Sequence, residues 1–251
     1  NKMVWTQVYM GKKIEETVQD FYMYNFDTSE LILVETGHLG FACHGLNDRE
    51  LVYQRATITD QRFYKYTYAT GEIAPLKTDL YAFDPGFVNY VDGDYLVFRN
   101  MSDNKIIKCN LVTDDFSEIE KLRIGTPTDF YYGIVANMGT DSVERYTVAT
   151  DQKEAVGKIG WNPQLCTPNI MMWVKPLDGG QYMEIYDVET KVNRYVTSDP
   201  NIKYGAWCRG KYAVITPDAS GSGAMRNFKI DLEKSGFIKD GHVVPESDGG
   251  L

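Results

Sequence analysis

One short pattern decides the fold: Tyr66-Thr67-Tyr68-Ala69-Thr70, in which two apolar residues alternate with other residues before a threonine. The chain carries six copies of this pattern, and only the last has lysine in place of the threonine. Alternation with period two is typical of a half-buried β-strand, and the small or polar residue that usually follows favours a turn. The copies begin at Tyr24, Tyr66, Cys109, Tyr146, Tyr186 and Ile230.

The spacing of the copies indicates a repeat of propeller-blade size. Successive copies begin 42, 43, 37, 40 and 44 residues apart. Each repeat also contains a more apolar strand before the pattern, as at 95–98 and 171–174, and two further predicted strands. Four strands in about 40–45 residues is the size of a β-propeller blade. With a mean spacing of about 41 residues, 251 residues hold six repeats rather than seven.

The repeats therefore predict an all-β fold, a six-bladed β-propeller of four-stranded antiparallel blades, as a single domain over residues 1–251. The first repeat begins at its second strand, near Met3. We expect His242-Val243-Val244 to supply the missing strand, because pairing of the N- and C-terminal segments would close the ring and remove two exposed sheet edges. A β-sandwich with coincidental spacing is the alternative fold.

The charge and composition exclude several classes of protein. The chain has 35 Asp and Glu against 26 Lys and Arg, and its net charge of −9 disfavours binding of nucleic acid through phosphate groups. It contains no run of about 18 apolar residues, so the sequence predicts no membrane-spanning segment. The sequence begins at Asn1 without a visible targeting segment, and we expect a monomeric protein that is secreted, periplasmic or on the cell surface.

The second repeat carries a longer series of motifs. It runs from Phe41 through Leu51-Val52-Tyr53 and Thr70-Gly71-Glu72 to Leu76-Lys77-Thr78-Asp79, and the third repeat adds Asp92-Gly93. These motifs resemble the blades of the TolB-like six-bladed propeller superfamily, and the resemblance covers the whole chain, although the fourth and fifth repeats follow it loosely. It implies a propeller fold. Relatives include partner-binding proteins and polysaccharide lyases, so the resemblance narrows the function little.

Polar or amphipathic residues form one column when the repeats are aligned on the Gly or Pro before the second strand. This column falls where the innermost strands of a propeller reach one end of the central channel. A ring of ligand-binding groups at that channel mouth is one interpretation, and ordinary turn chemistry, in which such side chains bond nearby backbone, is the other. The column consists of His44, Asp92, Tyr132, Thr167 and Arg209.

The preceding position in the column holds three of the four cysteines, Cys43, Cys166 and Cys208. A thiol cluster near the channel axis is one interpretation. Small, buried hydrophobic side chains are the interpretation we favour, because a ring should hold equivalent positions of different blades apart. Four widely spaced cysteines also do not indicate a disulfide scaffold.

Loops form a second set of binding candidates. Long connections between second and third strands, together with the connections between blades, rise on one face of a propeller, and loops on a rigid scaffold commonly carry binding. Tyrosine and tryptophan in such loops supply a large, rigid contact area. The loop candidates are Tyr9, Lys12, Phe83, Trp161 and Arg226.

Catalytic and metal-binding signatures are missing from the sequence. It has no GxSxG, HExxH or P-loop motif, and His38, His44 and His242 stand at no recognisable ligand spacing. The sequence therefore predicts no metal or other cofactor and names no catalytic residue. We expect a non-catalytic binding module that recognises a protein or a glycan through one end of the propeller. The alternatives are a carbohydrate-active enzyme, a polysaccharide lyase or glycoside hydrolase working at the channel mouth, and a structural domain of a longer chain.

Overall fold

The structure of the protein is a computed structural model, and it describes residues 1–12, 16–37, 40–55, 62–76, 90–100, 102–122, 126–158, 160–177, 180–197, 204–216 and 227–246. These residues form two compact units, an N-terminal unit (Asn1–Ile119) and a C-terminal unit (Glu120–Leu251). Their secondary structure is almost entirely β-strand, with a short 3-10 helix at Glu120–Leu122. No helix among them has the length and hydropathy needed to cross a membrane.

The described residues of the N-terminal unit form three antiparallel sheets, and in each sheet every strand pairs with the next strand along the chain. The first sheet has three strands, β1 (Lys2–Tyr9), β2 (Val18–Asn25) and β3 (Glu30–Gly37). The second has four, β4 (Phe41–Leu46), β5 (Glu50–Arg55), β6 (Phe63–Thr67) and β7 (Ile73–Pro75). The third has four, β8 (Tyr90–Asp92), β9 (Tyr95–Arg99), β10 (Ile106–Asn110) and β11 (Asp115–Glu118).

The C-terminal unit follows the same meander order in its described residues. Its first sheet has β12 (Thr126–Tyr131), β13 (Ile134–Met138), β14 (Ser142–Thr147) and β15 (Gln152–Lys158). Its second has β16 (Trp161–Leu165), β17 (Ile170–Leu177), β18 (Gly180–Asp187) and β19 (Asn193–Thr197). Its third has β20 (Tyr204–Arg209), β21 (Tyr212–Thr216) and β22 (Phe228–Asp231), and a short hairpin pairs β23 (Ile238–Lys239) with β24 (His242–Val243).

The repeated pattern forms the end of each third strand and the turn after it. Its second position is Asn, Asp or Thr, and the side chains of Asn110, Asp187 and Asp231 accept hydrogen bonds from backbone N–H groups two or three residues later. The bond from the Lys234 N–H lowers the pKa of Asp231, since it stabilises the carboxylate. The residue after the pattern has positive φ in the first five copies, at Ser29, Gly71, Asp114, Asp151 and Lys191.

The cores lie between consecutive sheets of each unit. On β17, Ile170, Met172 and Val174 pack against the following sheet, whereas Met171 and Trp173 pack against the preceding one. On β5, Leu51 and Tyr53 join the core shared with the first sheet, and Val52 joins the core shared with the third. Because alternate side chains point to opposite faces of a strand, both faces of these strands are buried, as their near-continuous apolar sequences predict.

The all-β meander, in which four of the described sheets have four strands, is consistent with a β-propeller and confirms the predicted all-β class. The number of blades, the single-domain organisation and ring closure stay predictions. In the first repeat the pattern lies at the end of β2, and only one strand, β1, precedes it, as expected for a repeat that begins at its second strand. The observed backbone pairing of His242–Val243 is with Ile238–Lys239, and the Nδ1 of His242 lies 2.9 Å from Oδ2 of Asp187.

The cysteines depart from the expectation of buried free thiols. Cys166 and Cys208 form a disulfide between consecutive sheets, with their Cα atoms 4.8 Å apart, and Cys43 is exposed. The expectation was wrong because the first strands of adjacent sheets converge at this position, which brings equivalent residues together. The Gly210 N–H donates to the Cys166 carbonyl oxygen at 2.7 Å in the same place.

We predict that reduction of this disulfide lowers the free energy of unfolding by about 2–4 kcal/mol, since the bond restricts the unfolded chain. The measurement is urea unfolding with and without reductant. The Cys43→Ser variant should respond like the unaltered protein, whereas Cys166→Ala/Cys208→Ala should not respond. Thiol titration of the denatured, unreduced chain should detect two thiols, and detection of four would contradict the disulfide.

Candidate functional site

Polar bonds join the first strands of the three consecutive sheets in the C-terminal unit. Between β12 and β16, the Thr128 hydroxyl donates to the Pro163 carbonyl oxygen, and the Gln164 side-chain amide donates to the Thr128 carbonyl oxygen at 3.1 Å. The Leu165 N–H donates to Oδ2 of Asp129 at 2.8 Å. These bonds join residues within strands rather than residues in loops, so they fix β12 and β16 relative to each other. We call the surface formed by the three first strands, β12, β16 and β20, the first-strand edge.

A buried carboxylate lies at the centre of the first-strand edge. Asp129 has no exposed surface, and its two oxygens accept from the two terminal nitrogens of Arg209 at 2.5 and 2.6 Å. Arg209 also donates to the Leu165 carbonyl oxygen at 3.1 Å, so this one side chain connects β20 with both β12 and β16. A bidentate pair fixes both the position and the plane of the guanidinium group.

Aromatic side chains lie near this ion pair. The Arg209 guanidinium lies 4.7 Å from the centre of the Tyr131 ring, and the Tyr131 and Tyr132 rings are 4.0 Å apart. Trp207 is 68% exposed, and it lies two residues before Arg209 on β20, so both side chains leave the strand on the same side. The site therefore combines a fixed cation with exposed aromatic surface, which suits recognition of a partner.

The structure brings three of the predicted channel-mouth residues to the first-strand edge. Arg209 ends β20, Tyr132 follows β12, and Thr167 follows β16. The Thr167 hydroxyl oxygen accepts from the N–H groups of Asn169 and Ile170, which is ordinary turn chemistry.

In two repeats the observed strand pairing does not agree with the predicted column of site residues. In the fourth repeat, Tyr131 rather than Tyr132 pairs with the second strand in the way that Arg209 does, and Tyr132 takes a turn position with φ of 56°. In the second repeat, Gly45 lies inside β4 at an irregularity in the ladder, so His44 is within the strand and not in the turn. Alignment of the repeats on glycine gives the wrong residue here, because Gly133 is the second residue of its turn and Gly45 lies within a strand.

The remaining channel-mouth candidates belong to the N-terminal unit. Asp92 ends β8, where it pairs with Tyr95 before the Gly93 turn. His44 lies on β4, and its side chain is outside the described structure. The Asn47 side-chain amide donates to the Gly93 carbonyl oxygen at 2.7 Å, so the turns of these two sheets are in contact.

The loop candidates do not form one cluster in the described residues. Tyr9 ends β1 and is 46% exposed, and the Lys12 N–H donates to a Glu16 carboxylate oxygen at 3.0 Å. Trp161 begins β16 and is 42% exposed. It lies about 13 Å along that strand from Leu165, at the end away from Arg209. Phe83 and Arg226 are outside the described residues.

The described part of the chain contains no set of metal ligands. There, no three His, Cys, Asp or Glu side chains are grouped closely enough to hold a metal ion. His242 contacts Asp187, and His38 lies outside the described residues. Burial alone would raise the pKa of Asp187, but hydrogen bonds from the Thr190 backbone and from His242 outweigh burial and lower it.

Two features of the site escaped sequence analysis. Asp129 is the anion that positions Arg209, and the signal for it is an acidic residue within a strand, where aspartate is disfavoured. Trp207 is the most exposed aromatic residue of the first-strand edge, and no motif in the sequence distinguishes it from the other aromatic strand residues. Exposure depends on the neighbouring sheets, which a single strand's sequence does not reveal.

Comparison with known proteins gives a fold. No protein-family profile and no curated protein sequence matches the chain, but solved structures match its fold. An uncharacterised protein from Listeria monocytogenes EGD-e has a TM-score of 0.60 at 10% identity, over 91% of this chain and 77% of its own. An oligogalacturonate lyase in complex with manganese has a TM-score of 0.58 at 14% identity, over 99% of this chain and 86% of its own.

TolB from Acinetobacter baumannii has a TM-score of 0.54 at 13% identity, over 85% of this chain. The match spans 57% of the length of that TolB. At such identities the similarity concerns the fold alone. The chain resembles TolB-like β-propeller proteins, as its sequence motifs indicate, and the similar structures differ in function among themselves.

We predict that Asp129→Ala lowers the free energy of unfolding by about 1–3 kcal/mol, because the Leu165 N–H loses its acceptor and the half-exposed Arg209 loses its partner. Urea unfolding measures the loss. The matched control is the exposed pair of Arg49 and Asp94, 2.6 Å apart, where Asp94→Ala should cost less than about 1 kcal/mol. Equal losses in the two variants would contradict the central role of Asp129.

Proposed function

We propose that this protein is a monomeric, non-catalytic binding module, formed as a single domain by a closed six-bladed propeller. Its ligand is a protein or a glycan, bound at the first-strand edge. The observation that carries the proposal is the exposed Trp207 beside the fixed guanidinium of Arg209. Tryptophan, tyrosine and arginine are the residues most enriched at binding hot spots, which favours a protein partner over a glycan.

The geometry supports this proposal because the binding groups are held before a partner arrives. Two oxygens of Asp129 orient Arg209, and the Tyr131 ring packs against its guanidinium. Rigid groups lose little conformational entropy on binding, so more of the contact energy contributes to affinity. The other channel-mouth candidates, His44, Asp92, Tyr132 and Thr167, would extend the same surface if the ring closes. The loop candidates would form a separate surface.

The disulfide supports an oxidising compartment for the protein. Cys166 and Cys208 are paired, and stable disulfides are characteristic of secreted, periplasmic and cell-surface proteins. The proposed location is therefore one of these three.

We predict that peptides selected from a random display library on the folded protein bind at the first-strand edge. Trp207→Ala should weaken their binding by at least about tenfold, because removal of a hot-spot tryptophan costs more than about 1.4 kcal/mol. Calorimetric titration gives the affinities. The matched control is Phe228→Ala, which removes another exposed aromatic residue, 53% exposed, from β22.

Other outcomes of the same screen separate the alternatives. Binding that is lost in Trp161→Ala and kept in Trp207→Ala would move the site to the loop face. Binding to immobilised glycans but to no peptide would reassign the ligand. Release of unsaturated or reducing products from polysaccharides, lost in His44→Ala, would replace the binding proposal with the carbohydrate-active enzyme.

A further inference from the structure

The first sheet of the N-terminal unit has an open position beside its outermost strand. That strand, β1 (Lys2–Tyr9), is the second strand of its repeat, and it pairs with β2 alone in the described residues. In every later repeat, a first strand pairs antiparallel with the second strand at this place. We call the unpaired side of β1 the β1 edge.

The hydrogen bonds of β1 determine which backbone groups face the open position. The Phe26 N–H donates to the Asn1 carbonyl oxygen at 3.0 Å, so these two residues form a hydrogen-bonded pair at the end of the β1–β2 ladder. In an antiparallel ladder, such pairs alternate with pairs whose N–H and C=O groups point away from each other. The odd-numbered residues of β1 therefore bond to β2, whereas the even-numbered ones face the β1 edge. Inside the strand, these outward-facing residues are Val4, Thr6 and Val8.

β1 lacks the features with which proteins protect an exposed strand edge. Protected edges are short, contain a bulge or a proline, or carry charged side chains. In the described sheets, every other edge strand has at most four residues, a proline or an irregular ladder. β1 has eight residues in a regular ladder, and its only charged residue is Lys2, at the first position. Such an edge is suited to receive another strand.

The first strand of the second sheet forms a wall beside the β1 edge. The Phe41 ring on β4 stacks on the Phe21 ring with their centres 5.6 Å apart, so this face of β4 reaches the first sheet. Cys43, two residues further along β4, projects to the same side, and it lies opposite Tyr53 of the core that the two sheets share. The Cys43 side chain is exposed. A strand added to β1 would cover it.

The geometry of β1 also defines the side chains that an added strand needs. Residues that lie directly opposite each other in an antiparallel pair project from the same face of the sheet. Val4 packs against the core shared with the second sheet, so residues opposite Val4, Thr6 and Val8 would point towards β4. Small apolar side chains suit these positions, because a charged group would lose water there. Residues opposite Trp5 and Gln7 would lie on the other face.

An extended segment of a different protein fits the β1 edge better than either alternative from this chain. His242–Val243, the strand expected here from the sequence, pairs with Ile238–Lys239. The seven residues after Val244 begin with Pro245 and include two adjacent glycines, which strands disfavour. A second copy of the chain would bring another net charge of −9 against the first.

We propose that the β1 edge binds an extended, uncharged segment of a partner protein, which supplies the missing first strand antiparallel to β1. The backbone of the segment bonds to the outward N–H and C=O groups, and its alternate apolar side chains contact β4. This surface lies in the N-terminal unit and does not depend on the function proposed for Trp207.

The probe is a seven-residue peptide in which threonine and valine alternate, with threonine at both ends. Its threonines are N-methylated, so only the edge that carries the valine N–H groups can pair. NMR measures hydrogen exchange of the backbone amides. In the protein alone, the outward amides of Val4, Thr6 and Val8 should exchange at least about tenfold faster than the inward amide of Trp5, which donates to β2. The peptide should slow the three outward amides in a saturable titration and slow labelling of the Cys43 thiol several-fold.

Two matched proline variants test the orientation of β1. Thr6→Pro removes an outward N–H and no bond to β2, and proline is tolerated on the open side of an edge strand. It should weaken peptide binding by at least about tenfold and leave the urea midpoint of unfolding nearly unchanged. Gln7→Pro removes a bond to β2 and should lower that midpoint. A control peptide that is N-methylated at its valines as well has the same side chains and should not bind.

Three results would overturn the proposal. Slow exchange of the outward amides in the protein alone would mean that the chain's own residues cover the β1 edge, as pairing of the N- and C-terminal segments requires. A concentration-dependent dimer that protects the same amides would assign the edge to a second copy. Equal binding of the two peptides, or no change in exchange and in Cys43 labelling, would show that the edge does not accept a strand. None of these results bears on peptide binding at Trp207.

Discussion

Face-to-face packing of consecutive sheets is the interaction on which each unit depends. A strand such as β17 contributes Met172 to one core and Trp173 to the other, so it is buried on both sides. A single four-stranded sheet cannot hide two apolar faces without neighbours, which is why the repeat is not stable alone and why the chain repeats it. A substitution on a second strand therefore affects one core or the other, according to the face from which its side chain projects.

This packing restricts where binding chemistry can be placed. After the first repeat, the second strands and much of the third strands are occupied by the cores, so exposed positions are common on fourth strands such as β15. First strands offer a few exposed positions, such as Trp207 and Arg209. Asp129 is fully buried on a first strand, where Arg209 from two sheets away can reach it.

The repeat was predictable because its cause is local. Period-two alternation and a turn residue with positive φ, such as Asp114, are determined within a few residues. The predicted second strands are buried in the later repeats, as in β5 and β13, but β1 of the first repeat has no buried residue. The disulfide between Cys166 and Cys208 was not predicted, because it depends on how closely adjacent first strands approach. The column of site residues was displaced at Tyr132, since a non-glycine residue there adopts the turn conformation that glycine adopts at Gly93 and Gly210.

In a chain of repeats, the copies provide the reference against which an unusual residue is judged. Asn137 donates to Glu144 but leaves its own Oδ1 without a partner among the described residues, and Trp173 at the equivalent position does the same with its N–H, so this cost is shared by two repeats. Trp207 differs, because it is 68% exposed on a first strand, and burial of a large apolar side chain would contribute about 1.5–3 kcal/mol. The fold does not require this exposure, and such a departure is expected at a functional position.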